Sequence, residues 1–163
     1  MGQIEHRLAQ LGLQLPEPAE PPPGFKLSFS WVRLSGNRAY LSGHGALAPD
    51  GRPIGPFGKV PTEVPMDEAQ QSARGAVVSM LASLKRALGD LDRATAWLMV
   101  YGMVNADVGY PETTNVANGF SDLILELYGE DAGHHARMAV GMAALPLNYC
   151  FLAGAEVEVT SYA

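Results

Sequence analysis

One arginine stands alone in the run Ala136-Arg137-Met138-Ala139-Val140-Gly141-Met142-Ala143-Ala144-Leu145-Pro146, which is otherwise small or apolar and follows His135. Removing an ion from water costs several kcal/mol unless it is paired. Arg137 therefore either pairs with a structural carboxylate, Glu156 or Glu158 being the candidates, or holds something anionic. Its planar guanidinium suits a carboxylate, which it can grip through two parallel hydrogen bonds. Glu156 and Glu158 alternate with Val157 and Val159, so on a strand both carboxylates point to one face. On a pocket wall one of them could orient water or relay a proton. Facing solvent, they are an ordinary polar strand face.

The remaining reactive side chains form no comparable pattern. His134 and His135 are adjacent and diverge on a strand, and no Cys, His or carboxylate spacing matches a metal site, so metal binding is not expected. His44, in Ser42-Gly43-His44-Gly45, could line a pocket at a strand end or be a plain loop histidine. The glycine-rich stretch from Gly43 to Gly58 matches neither a phosphate loop nor a dinucleotide fingerprint. Ser42 lacks His and Asp partners by motif. Cys150 lies in an apolar stretch with no basic neighbour to lower its pKa and reads as inert.

The elements that must position these residues follow from periodicity. Ile4, Leu8 and Leu11 share one face of a short helix, and the prolines between Glu17 and Gly24 make the next stretch an extended linker. Residues 31–34 and 39–41 read as a hairpin turning at Ser35-Gly36-Asn37. Residues 43–65, broken by glycines and prolines, read as a long irregular region. A helix is predicted over 66–88: Asp67 and Glu68 suit its N-terminus, Lys85 and Arg86 its last turn, and Gly89 its stop. Ala69, Ala73, Val77, Met80, Leu81, Leu84 and Leu88 form its apolar stripe. Residues 96–104 read as a buried strand, 114–128 as a second long helix ended by Gly129, and 136–144 and 155–160 as the last strands. This order, roughly βββ-α-β-α-ββ, predicts an α+β fold with a mixed six-stranded sheet and two helices packed on one face.

The chain has 163 residues, 47% of them hydrophobic, which suits one domain with a sizeable core. It has no apolar run long enough to span a membrane and no secretory signal pattern. A single cysteine excludes an internal disulfide framework and fits a reducing, cytoplasmic location. A formal net charge of −6 argues against general nucleic-acid binding.

Three pieces of the sequence together resemble the Rid/YjgF family, also named endoribonuclease L-PSP or translation initiation inhibitor. They are Ser35-Gly36-Asn37 with Leu41-Ser42-Gly43; the helix end Ala82-Ser83-Leu84-Lys85 with Leu88-Gly89; and Arg137-Met138-Ala139-Val140-Gly141 with Leu145-Pro146 and Glu156-Val157-Glu158. The likeness runs from about residue 29 to the C-terminus, so residues 1–28 read as an N-terminal helix and Pro-rich arm ahead of a domain over 29–163. Residues 4–12 and the arm resemble a subgroup of poorly defined function.

The resemblance implies a chorismate-mutase-like fold, a homotrimer with clefts between subunits, and cofactor-independent hydrolysis of reactive enamines or imines to 2-keto acids and ammonia. It implies that Arg137 binds the substrate carboxylate, that Glu156 activates water, and that Ser42, Gly43 and Phe29 line the cleft. Phe29 stands where the active branch commonly has a tyrosine, Ala139 where many relatives have a cysteine, and the segment around Asn148–Gly154 is longer than usual. These departures keep open a non-catalytic carboxylate-binding role. The older names imply RNA cleavage, which the acidic charge and the lack of a ribonuclease-like constellation disfavour. Apolar surface on 96–104 and 136–144 exceeds what two helices can cover, which gives the trimer a physical rationale.

Overall fold

The computed structural model describes residues 2–161, so residue 1 of the expected N-terminal segment and residues 162–163 of the expected domain lie outside it. Helix α1 (Gln3–Gln10) buries Ile4 and Leu8 in the main hydrophobic core. It has no capping side chain of its own. The Asp92 carboxylate instead accepts from the Gln3 and Ile4 amides at 2.7 and 2.9 Å, satisfying two donors that a helix N-terminus leaves free. Glu5 pairs with Lys85 on the next helix. Helix α1 is thus packed into the core of the domain.

Strands β1 (Val32–Ser35) and β2 (Arg38–His44) form the expected hairpin, with Gly36 supplying the positive φ of 59° at its turn. Helix α2 (Met66–Leu88) has the predicted bounds and ends on left-handed Gly89, whose amide donates to the Lys85 carbonyl. Strand β3 (Ala94–Asn105) leads to α3 (Thr113–Gly133). The helical φ/ψ of α3 breaks at Gly129, where the second long helix was expected to end. Strands β4 (Ala136–Met142) and β5 (Phe151–Val159) complete the chain.

The sheet order is β1-β2-β5-β3-β4, antiparallel except for the parallel β3–β4 pair. Among the described residues the sheet therefore has five strands, not the six expected. No third strand precedes α2: of the expected irregular region 43–65, only Gly43 and His44 join β2, and the rest is irregular and contributes only isolated bridges, Leu47 with Pro53, Phe57 with Tyr149, and Val60 with Ala106. Prolines lack the amide a ladder needs. Among the described residues no helix is long and apolar enough to cross a membrane.

Helices α2 and α3 cover one face of the sheet. Against it lie Ala39 and Leu41 of β2, Trp97, Val100 and Val104 of β3, and Phe151, Ala153, Ala155 and Val157 of β5, all buried. The opposite face is open: Tyr40, Tyr101, Met138, Val140 and Met142 remain exposed on it.

The two helices meet closely at Gly119, where an added Cβ would lie 2.2 Å from the Gln70 carbonyl oxygen. That atom belongs to a helix backbone and cannot swing aside. Alanine normally favours a helix over glycine by about 1 kcal/mol, but here overpacking wins. Gly119→Ala should lower stability by about 1–3 kcal/mol in urea unfolding; an unchanged or raised midpoint would refute this contact.

Candidate functional site

Arg137 lies on edge strand β4, opposite Val100 of β3, and shares Val100's helix-facing side of the sheet. Its Nη1 donates to Asn118 Oδ1 and Ser121 Oγ, each at 2.9 Å, and its Nη2 to the Thr114 carbonyl at 3.4 Å. These three bonds leave two of the guanidinium's five N–H donors uncommitted. Among the described residues no carboxylate is within ion-pair distance. Burial pulls the guanidinium's pKa below its ordinary value, against the attraction of Asp122, yet an arginine keeps its charge in a protein.

The Gly133 carbonyl can only accept, so His135 Nδ1 carries a proton and donates to it at 2.7 Å. With the ring neutral, Nε2 accepts from Ser121 Oγ at 2.8 Å, and Ser121 Oγ in turn accepts from Arg137. Burial also lowers the His135 pKa, against the Gly133 bond and with the nearby charge of Arg137 and His134. His134 points away, exposed beside Glu130 at 3.5 Å; the two histidines lie in the connection between α3 and β4 rather than on the strand, and diverge there.

Glu156 sits on the open face, paired across the sheet with Tyr40 and Met99, and accepts from the Tyr101 hydroxyl at 3.1 Å. That bond raises the Tyr101 pKa. Glu158 accepts from Thr95 at 3.1 Å. Neither glutamate pairs with Arg137, because within one chain they lie on the opposite side of the sheet.

Phe29 and Gly43 line one apolar cavity of 270 Å³ at the other end of the sheet. Phe29 packs edge-on against Trp31 with ring centroids 5.0 Å apart. Ser42 lies beside the cavity, its hydroxyl donating to the Ser30 carbonyl at 2.7 Å. The sheet order separates β2 from β4 by three strand spacings, roughly 14 Å. One chain therefore brings Phe29 and Gly43 together and keeps Arg137 and Glu156 apart from them and from each other.

Sequence reasoning missed Asn118, Ser121, Tyr101 and the partnership of His135 with Ser121. The first two had a legible signal. They are polar residues three apart, hence on one helix face, inside a segment whose other inward positions, Val116, Phe120, Leu123 and Ile124, are apolar. Cys150 is buried, and burial raises its thiol pKa, as its apolar surroundings suggested.

The sheet order, the helix layer and the glycine-bounded hairpin define a YjgF-type α+β domain, and the chain belongs to the YjgF/chorismate mutase-like, putative endoribonuclease family, whose model matches residues 5–157. The match reaches into α1, beyond the start at residue 29 expected from motifs. Protein TCP17 of Trypanosoma cruzi is 35% identical over 158 residues, covering 97% of this chain and 91% of that protein. The crystal structure of Atu1372, a protein of unknown function from Agrobacterium tumefaciens, is 36% identical with a TM-score of 0.85, covering 96% and 92% of the two chains. RidA from the Antarctic bacterium Psychrobacter sp. shares the fold at 17% identity and a TM-score of 0.57, covering 90% and 99%.

His44 is buried with both ring nitrogens engaged, Nδ1 with the Ser42 carbonyl at 2.6 Å and Nε2 with Ser83 Oγ at 3.0 Å. The carbonyl can only accept, so Nδ1 carries the proton and Ser83 donates to Nε2. Burial, with the Arg86 charge and against the Ser42 bond, takes the pKa down to about 4. The folded state thus favours neutral His44, and its stabilising contribution is complete above the unfolded histidine's pKa near 6.5. It is lost as pH falls from there toward 4, by at most about 3 kcal/mol. Urea unfolding of wild type and His44→Gln across that window should show the steeper acid loss in wild type; parallel curves would show that His44 titrates normally.

Proposed function

We propose that the protein is a cytoplasmic, cofactor-independent deaminase that hydrolyses reactive enamines or imines to 2-keto acids and ammonia, with Arg137 binding the substrate carboxylate. The observation that carries this reading is the state of Arg137: a half-buried cation on edge strand β4, held by three neutral oxygens, with two donors free and, among the described residues, no carboxylate within ion-pair distance.

The reaction needs a carboxylate clamp and a placed water. Arg137 fixes the carboxylate and with it the adjoining C=N carbon. Glu156 takes a proton from water as the water's oxygen bonds to the C=N carbon, and passes that proton to the nitrogen, giving a carbinolamine. Transfer of the hydroxyl proton through Glu156 to the nitrogen then lets the C–N bond break, releasing ammonia and leaving the ketone. The separation of these groups within one chain favours assembly as a homotrimer. Arg137 lies on one edge strand and the Phe29–Gly43 cavity at the other end of the sheet. A head-to-tail contact joins two unlike surfaces and closes into a ring. It would also cover the exposed Tyr40, Tyr101, Met138, Val140 and Met142.

A second reading, a non-catalytic small-carboxylate-binding protein, is favoured by Phe29, which offers no hydroxyl at the cleft, and by Glu156, which is already bonded to Tyr101. Imines generated in situ from amino acids separate the two readings. Wild type should accelerate keto-acid formation, and Arg137→Ala should lower kcat/KM by about 100-fold or more, the loss of charge-assisted bonds worth roughly 1.5–3 kcal/mol each. Glu156→Gln should lower kcat by about 10² to 10⁴-fold with a smaller effect on KM. Carboxylate binding by calorimetry with no turnover above buffer would leave the second reading standing.

A further inference from the structure

The Pro-rich arm and the segment after Leu145-Pro146, both unusual in the sequence, converge on the same cavity. Its walls include Phe25 and Leu27 of the arm, Phe29 and Trp31 before β1, and Tyr149 and Leu152 from the later segment, with Gly43 and His44 at the end of β2. We propose that this cavity is the binding site for the aromatic or bulky apolar part of the ligand, so that the substrate class is carboxylates with large apolar side chains. This rests on the carboxylate-clamp reading above, and it is carried by the shape and chemistry of the cavity.

The interior offers no free charge. His44 has both nitrogens committed and presents its ring, 5.0 Å from that of Trp31. The buried Tyr149 hydroxyl is spent on the Ala46 carbonyl at 2.8 Å. Glu20 and Lys26 belong to the solvent-exposed arm, so the charges stand at the mouth. At 270 Å³ the cavity exceeds the roughly 150 Å³ that holds benzene in an apolar protein interior.

The wall is also built at a cost. Leu147 and Asn148 adopt successive positive φ values of 56° and 59°, a region that opposes side chains and that a branched leucine rarely enters. Asn148 is held there by the Gly58 amide at 2.8 Å and the Asn105 side chain at 3.2 Å. Strain of this kind persists where surrounding contacts over-determine it, and it concentrates at ligand sites.

Calorimetry on the full chain in its native assembly, with phenylpyruvate and pyruvate as probes, tests the proposal. Phenylpyruvate should bind about 10- to 100-fold more tightly, the gain from burying a phenyl group. That preference should shrink to about threefold or less in Phe25→Ala/Leu27→Ala, which truncates two exposed side chains, so that most of the buried-phenyl gain is lost. Benzyl alcohol, a ring without a carboxylate, should shift the indole N–H resonance of Trp31, assigned with Trp31→Phe, in wild type and in Arg137→Ala alike. Equal affinity for the two acids, a preference unmoved by the arm variant, or a Trp31 resonance indifferent to benzyl alcohol (as when a neighbouring copy fills the cavity) would overturn the proposal. If benzyl alcohol binds at Trp31 and neither acid binds, the cavity assignment stands and the carboxylate clamp is what fails.

Discussion

The last strand, β5, is hydrogen-bonded on both flanks, to β2 and to β3, and no other strand joins the β1–β2 hairpin to the β3–β4 pair. Its inward residues Phe151, Ala153, Ala155 and Val157 are fully or almost fully buried beneath the helices. The sheet is therefore incomplete until the final stretch of chain inserts between segments far apart in sequence. Such pairings carry a loop-closure cost before they return any stabilisation, which makes the fold's halves dependent on one another. The same strand sets the layout of the functional groups. It spaces the cavity beside β2 from Arg137 on β4, and it presents Glu156 on the open face between them.

Several of the chain's cations are answered either by carboxylates or by neutral oxygens. Arg52, Arg74 and Lys85 each meet a carboxylate, and Lys59 donates to the carbonyls of Ala106, Met142 and Ala143 at the ends of β3 and β4. Most exposed pairs of this sort add about 1 kcal/mol or less. Arg86, partly desolvated too, donates to the Pro16 carbonyl and to Ser83 Oγ, and Arg137 likewise is hydrogen-bonded only to neutral oxygens, with Asp122 attracting it from beyond ion-pair distance. Those acceptors orient the guanidinium without cancelling its charge, whereas a built-in carboxylate would compete with any anionic ligand for the same fork. The Ser121–His135–Gly133 chain adds stiffness, because each hydrogen bond in it is determined by the next.

Much of the fold was legible because it is local. The spacing of Ala69, Ala73, Val77, Met80, Leu84 and Leu88, with Gly89 after them, specified α2 to its ends, and Gly36 and Gly129 marked a turn and a helix break. What sequence did not reveal is non-local. Strand β5 begins at Phe151, four residues before its expected start, because a strand between two others is apolar without alternation and reads like any buried run. The irregular ladder opposite β5, with register shifts between Leu41 and His44 and between Trp97 and Met99, hides which side chains share a face. Parity within β5 correctly put Glu156 beside Glu158. Nothing local said that Arg137 lies on the other side of the sheet, since that depends on the pairing of β4 with β3.

The N-terminal extension shows how a segment without regular structure can form a wall. Ile4 and Leu8 anchor α1 in the core, and Pro16 is buried with its carbonyl accepting from Arg86 at 3.2 Å. The Glu17 and Glu20 amides then donate to the Pro49 and Gly51 carbonyls, laying the arm along the turn after β2. Prolines reduce the entropy such a strap loses on ordering, because their φ is already restricted in the unfolded chain. The arm then carries Phe25 and leads into Phe29, each with more than half its surface still exposed. Side chains serving only to pack the arm down would be buried against what they touch. Held half-open over Trp31 and Tyr149 by a stiff strap, they form a lip at the cavity's edge.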